Sequence, residues 1–213
     1  EGLLKFCIEQ ARLDPTISAR ELCRRIIGQA EINELYSPKN DMTCAGVYFR
    51  QTRKIMVLSG PPYNDHKDEI RADMAEKYEG RKLICGGTTA QIISRELERD
   101  IDVCLKRDAS GLPPVSKMEG VDLITEGVLT LSRVKRVLEE SKGSEIPQKG
   151  TDGVVARMLL EHDIIEFVVG TRINPRHQDP ELPVELELRR NLIRELAALL
   201  ENKFLKEVKI QYI

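Results

Sequence analysis

The segment Leu83-Ile84-Cys85-Gly86-Gly87-Thr88-Thr89 has the clearest capacity for chemistry in this chain. An apolar run ends in two glycines and two threonines, which reads as a strand turning directly into a helix. Gly86 and Gly87 permit a sharp turn and a close backbone approach. Thr88 and Thr89 offer hydroxyls that either cap the helix or bond to an oxyanion. The first helical turn adds unpaired N–H groups, and the helix dipole favours negative charge there. Two readings stand side by side: an anion site, or a tight turn with a threonine cap and no guest. The run matches neither the Walker pattern nor the dinucleotide-binding glycine pattern.

Two further apolar runs end in the same style, at Thr125-Glu126-Gly127 and at Gly170-Thr171-Arg172-Ile173-Asn174. In a parallel sheet all three turns fall on the carboxyl edge, where ligands usually bind. The expected ligand-binding set is therefore Gly86, Gly87, Thr88, Thr89, Thr125, Glu126, Gly127, Gly170, Thr171, Arg172 and Asn174. Small, hydroxylic and amide side chains on converging turns suit a pocket better than one turn alone. Arg172 would clamp the anion. The plainer reading of each turn is helix capping, with Glu126 complementing a helix dipole.

Other polar clusters carry less. Thr151-Asp152-Gly153-Val154 is like the Ser-Asp-Gly-Val of a metal site, but it follows a polar loop and reads as the start of a helix. The histidines at 66, 162 and 177 have no metal-ligand spacing, and His162 falls at a helix end, where a cation is favoured. Five cysteines, at 7, 23, 44, 85 and 104, form no C-x-x-C pair and read as reduced, buried thiols of a cytoplasmic protein.

The elements that must position these residues follow from periodicity. Leu3, Leu4, Cys7, Ile8 and Ala11 form a short helical face that Asp14-Pro15 interrupts. Ser18-Ala19-Arg20-Glu21 has the pattern of a capping box and opens a second helix bearing Leu22, Ile26, Ile27 and Ala30. Met42–Phe49 reads as a strand, with Ile55–Leu58 pairing back on it as a hairpin. Ser59-Gly60-Pro61-Pro62 ends this unit, since two prolines interrupt both strand and helix. A helix with Ile70, Met74 and Tyr78 then leads to strands at Lys82–Cys85, Ile101–Leu105, Val121–Thr125, Ile164–Val169 and Val208–Ile213. Helices are expected at Thr88–Glu98, Val128–Glu140, Thr151–Glu161 and about Pro183–Lys203, the last with Leu188, Leu192, Leu196, Leu199 and Leu200 on one side.

The fold class expected is α/β, a mainly parallel sheet with helices on both faces, preceded by a small helix–helix–hairpin segment. The division is 1–62 and 63–213, the second part being a Rossmann-like domain. With 213 residues, 41% hydrophobic and 32% charged, the chain is ordinary globular material. A net charge of −2 with interspersed signs gives no footprint for nucleic acid or a membrane surface. No apolar run reaches the roughly 20 residues that cross a bilayer. The opening Glu1-Gly2-Leu3-Leu4-Lys5 has neither Met nor a secretion leader, which reads as a processed protein or a fragment.

Pro38-Lys39-Asn40-Asp41-Met42-Thr43-Cys44-Ala45-Gly46-Val47, after a capped helix, resembles the closing motif of bacterial type 2C protein phosphatases of the stage II sporulation protein E group. The Gly60–Pro62, Cys85–Thr89 and Thr125–Gly127 segments are similar to stretches that follow that motif in some members. The resemblance implies metal-dependent phosphoester hydrolysis with Mn²⁺ or Mg²⁺ held by several aspartates. It implies Asp41 and Asn40 as the matching metal pair, with the remaining ligands before Glu1 and a phosphoprotein as the substrate of the parent enzyme. An amide at Asn40 is a weaker ligand than a carboxylate, so the chain alone is expected not to be a competent phosphatase. Two rival readings remain. One is a sugar-phosphate sensing or isomerase-like domain, which the Gly-Thr-Thr turn also suits. The other is an interaction module that forms oligomers through the leucine-rich last helix.

Overall fold

The structure is a computed structural model. It describes residues 2–15, 17–37, 41–64, 66–104, 111–141, 146, 149–171 and 182–213, with the backbone alone for 182–186. The order is α1 (Gly2–Leu13), α2 (Ala19–Asn33), β1 (Lys54–Ser59), α3 (His66–Lys77), β2 (Arg81–Cys85), α4 (Gly87–Leu97), β3 (Asp102–Val103), β4 (Ser116–Met118), β5 (Val121–Thr125), α5 (Val128–Glu140), α6 (Thr151–Glu161), β6 (Ile164–Val169), α7 (Leu182–Phe204) and β7 (Glu207–Tyr212). Two compact units divide the chain, Glu1–Gln51 and Thr52–Ile213.

In the second unit Ile55, Met56, Val57 and Leu58 are all buried because β1 is an interior strand of a sheet. The spatial order is β3-β4-β5-β2-β1-β6-β7. β1 runs parallel to β2 on one side and to β6 on the other, with β5 parallel to β2 and β7 parallel to β6. A four-residue apolar run without alternation is the mark of a strand covered on both faces. The expected hairpin is accordingly corrected. Ile55–Leu58 has both its edges occupied by parallel neighbours, so it cannot pair with Met42–Phe49. Residues 41–50 form no strand, and Val47, Tyr48 and Phe49 are exposed. Without a neighbour to take its amides and carbonyls, β-favouring sequence alone does not make a strand.

The sheet's two faces carry separate cores. Ile55, Val57, Leu83, Ile165, Phe167 and Val169 pack under α5, α6 and α7, through residues such as Leu131, Leu159 and Leu196. Met56, Leu58, Ile84 and Val168 pack under α3 and α4, through Ala72, Ala75, Ala90 and Ile93. Each fully buried branched or aromatic side chain contributes about 1.5–3 kcal/mol. Among the described side chains of α7, Ile193, Leu196, Ala197 and Leu200 are buried and Leu192 and Leu199 pack beside them, while Leu188 is exposed.

The expected parallel strand at Ile101–Leu105 is corrected in kind. Asp102–Val103 pairs antiparallel with β4, and β4 pairs antiparallel with β5. This edge meander needs no crossover helix, which explains why the sequence offers none between 105 and 121. Among the described residues no helix is long and apolar enough to cross a membrane.

The first unit holds α1 and α2. Ser18 caps α2, its Oγ accepting the Glu21 N–H at 3.1 Å. The Glu21 carboxylate is engaged by Arg24 and Arg25. A concavity of about 400 Å³ in this unit is lined by Ile17, Leu22, Cys23, Ile26, Cys44 and Tyr48 among others.

Candidate functional site

Every strand tip the sequence singles out belongs to one parallel set. Ser59 pairs with Cys85 and with Val169, and Cys85 pairs with Thr125. The carboxyl ends of β5, β2, β1 and β6 therefore stand side by side on one edge, and the expected turns follow them directly. Neighbouring strands lie about 4.8 Å apart, so the turn after β6 is about 10 Å from the turn after β2.

Two of the turns meet. Gly86 N–H donates to the Thr125 carbonyl at 2.9 Å, and a Cβ added to Gly127 would lie 3.5 Å from Gly86 Cα. Gly86 is the N-cap of α4 and Gly127 the N-cap of α5, and neither helix has a side-chain cap. The expectation that Thr88 or Thr89 caps α4 is thus corrected: the helix starts earlier, on Gly86, whose φ of 126° only glycine adopts readily. Ala90 N–H reaches Gly86 O and Leu131 N–H reaches Gly127 O. The amides before them, at 87–89 and 128–130, have no carbonyl within their own helices.

Buried polar side chains stand at these turns and strand ends. Thr89 is 1% exposed, and its Oγ1 lies 3.6 Å from where a Cβ on Gly86 would be. That oxygen, together with Ser59 Oγ, Thr130 Oγ1 and Glu126 Oε2, is shielded from solvent and has no hydrogen-bond partner among the described residues. A buried polar atom without a partner costs about 1–3 kcal/mol. Thr125 Oγ1 donates to Glu126 O at 2.9 Å and contacts Cys85 Sγ at 3.6 Å. Burial, with the Glu126 charge adding to it and Thr125 opposing, pushes the Cys85 thiol up to about 12. Cys85 is consequently a protonated, inert thiol at neutral pH. All five cysteines are free; the other four are half-buried rather than buried.

Comparison with protein-family models, with curated proteins and with solved structures gives no match.

The turn after β6 stands apart. β1 and β6 flank the point where the chain reverses its direction of winding, because β1, β2 and β5 progress one way and β6 and β7 the other. Doubly wound sheets usually open their ligand crevice at that point. Here Gly60, Pro61 and Pro62 fill it, and all three are buried. Gly170 N–H donates to Ser59 O at 2.8 Å, and a Cβ on Gly170 would fall 2.0 Å from Pro61 O. Thr171 directs both its N–H and its hydroxyl to Ile213 O, at 3.0 and 2.8 Å. Gly170 and Thr171 serve this closure, while Arg172 and Asn174 lie outside the described residues.

Arg71 holds the closure from beneath. It is fully buried on α3, and its guanidinium donates to Gly60 O and, at 3.2 Å, to Val168 O. Burial lowers it to about 9, Asp68 counteracting and Arg189 reinforcing, so it stays charged at neutral pH. Asp68, also buried, bonds to Arg95 at 2.7 Å. Sequence reasoning missed Ser59, Gly60 and Arg71. The unalternating run Ile55–Leu58 was the signal that β1 is interior to the sheet and that its end shares an edge with the other turns.

The remaining candidates are settled locally. Thr151-Asp152-Gly153 opens α6, as expected of a helix start, though the cap position is Gly150 and Asp152 accepts the Gly153 N–H at 2.8 Å. His162 ends α6 as expected, but not as a cation: burial lowers its pKa, and its Nδ1–H donates to Met158 O at 2.5 Å. Asp41 is exposed, and Asn40 lies outside the described residues. Among the described residues no three His, Cys, Asp or Glu side chains gather to hold a metal ion. Mn²⁺ and Mg²⁺ seek near-octahedral oxygen sets, so Asp41 needs several further oxygen ligands, which the described residues do not gather around it.

Proposed function

We propose that the Thr52–Ile213 unit binds a small anion, phosphate- or nucleotide-like, at the paired N-termini of α4 and α5. In this reading it is the regulatory domain of a metal-dependent protein Ser/Thr phosphatase of the stage II sporulation protein E type, acting on a phosphoprotein in the cytoplasm. The observation that carries it is the meeting of Gly86 and Gly127, which sets two uncapped helix ends and the unpartnered Thr89 hydroxyl around one point. Each helix end acts as about half a positive charge, and unpaired amides are ready donors for an oxyanion. The phosphatase part rests on the Asn40-Asp41-Met42-Thr43 motif. Asp41 and Asn40 would be its contribution to an Mn²⁺ or Mg²⁺ site, and no complete one gathers among the described residues.

Amide-resolved NMR titration with inorganic phosphate and nucleoside monophosphates tests the anion site. Shifts are expected at Gly86–Thr89 and Gly127–Thr130, with a Thr88→Val variant weakened. A flat titration for every anion would overturn the reading. Incubation with a phosphoserine peptide and Mn²⁺ is expected to give no turnover.

A further inference from the structure

The first unit has little core of its own. Neither α1 nor α2 contains a buried residue, and Ile17 is the one buried hydrophobic among this unit's described residues. Units this small usually need a further tie, such as a metal or a disulfide. Residues 41–50 form no strand, so no ladder of backbone bonds holds them.

What meets α2 from this segment is a pair of sulfurs. A Cβ added to Gly46 would fall 2.7 Å from Cys23 Sγ and 3.4 Å from Ala19 O, so the segment lies against the first turns of α2. Cys44, two residues earlier, is hydrogen-bonded to the Cys23 thiol. Both cysteines are half-buried and both line the concavity of about 400 Å³, so a small reagent reaches them. Cys7 acts on Cys23 only through its charge. Among the described residues no three His, Cys, Asp or Glu side chains gather to hold a metal ion. The chemistry open to this pair is that of two thiols. Burial, and after it the Cys44 thiol, raises Cys23 above its ordinary range. At neutral pH it is a protonated thiol, and the reduced pair persists until an oxidant arrives.

We infer that Cys23 and Cys44 form a reversible modification site, which a hydroperoxide closes to a disulfide tying residues 41–50 to α2. One sulfur attacks the O–O bond, becomes a sulfenic acid and releases the alcohol, or water from hydrogen peroxide. The second sulfur displaces the sulfenic hydroxyl, which leaves as water with the second thiol's proton. The two thiols together give up two electrons and two protons, and the hydroperoxide takes them all. A thiol reductant reopens the bond by exchange. Nothing in this depends on the anion site.

The test treats the reduced full chain with a small excess of hydrogen peroxide, blocks remaining thiols with N-ethylmaleimide and maps peptides without reduction. One intramolecular Cys23–Cys44 link is expected, lighter by two hydrogens and reopened by dithiothreitol. It should form about tenfold faster in the folded chain than in urea, because the fold holds the sulfurs together. Chymotrypsin cleavage after Tyr48 and Phe49, both exposed, should slow about fivefold on oxidation. Cys44→Ser should cancel that protection, and Cys23→Ser should do the same. Equal linking rates with and without urea overturn the inference. So does a link through Cys7, or oxidation of separate thiols without a link. A link that leaves the cleavage rate unchanged overturns the tie between segment and helix.

Discussion

Gly86 and Gly127 touch backbone to backbone at the ends of adjacent parallel strands, with Gly86 N–H bonded to the carbonyl of Thr125. That contact joins the starts of α4 and α5. It also ranks the glycines by what a methyl group would do.

Gly86→Ala and Gly87→Ala should differ sharply. Gly86 sits at φ 126° and ψ 130°, a region reserved for glycine, and an alanine there costs about 1–3 kcal/mol. Gly87 has open space around its missing Cβ and no positive φ. Alanine there should be neutral or stabilising by up to about 1 kcal/mol, because the unfolded chain loses freedom. Urea denaturation of both variants measures this, and equal effects would contradict the turn geometry.

Thr89→Val should trade function for stability. Valine keeps the shape and removes a buried hydroxyl that has no partner among the described residues. The free protein should gain about 1 kcal/mol, while phosphate affinity falls about tenfold. Denaturation and calorimetry on the same sample check both halves. A destabilised Val variant would mean the hydroxyl already has a bond to lose.

The fold was largely legible because helices and buried strands differ in period and length, and β2, β5, β6, β7 and the helices from α3 onward fall close to where the pattern sets them. The hairpin failed for a physical reason: pairing is a property of two strands, and local sequence does not say that Ile55–Leu58 has better partners in Arg81–Ile84 and Ile165–Val168. The adjacency of Gly86 and Gly127 was half legible. Shared edge follows from parallel strands, but strand order, which separates Gly170 from the other two turns, depends on long-range packing. Arg71 was invisible, since a charged residue in a helix of low apolar content reads as solvated until its carbonyl partners, Gly60 and Val168, are known.

Arg71→Met should cost about 2–4 kcal/mol, because two buried carbonyls lose their donor together. Arg71→Lys should recover only part of this, since an ammonium lacks the planar fork that spans Gly60 O and Val168 O. Hydrogen exchange at Gly170 and Thr171, whose amides bond to Ser59 O and Ile213 O, should rise in both variants. Unchanged exchange there would separate Arg71 from the Pro61–Pro62 closure.

His162 should make the protein acid-sensitive above the range where carboxylates titrate. Burial depresses its pKa below the usual 6.5, Arg81 and Arg53 act the same way, and the Met158 carbonyl and Glu161 oppose them. The unfolded chain therefore binds a proton more readily than the folded one. Stability is constant above about pH 6.5 and falls as pH drops below it, by at most about 1.4 kcal/mol per unit. Glu21 and Glu76, held below 4.5 by Arg24 and Arg99, lose their contribution only at lower pH. Urea midpoints between pH 7.5 and 5 thus isolate the histidine. His162→Gln should flatten that slope, and a slope that persists in the variant would assign it to another group.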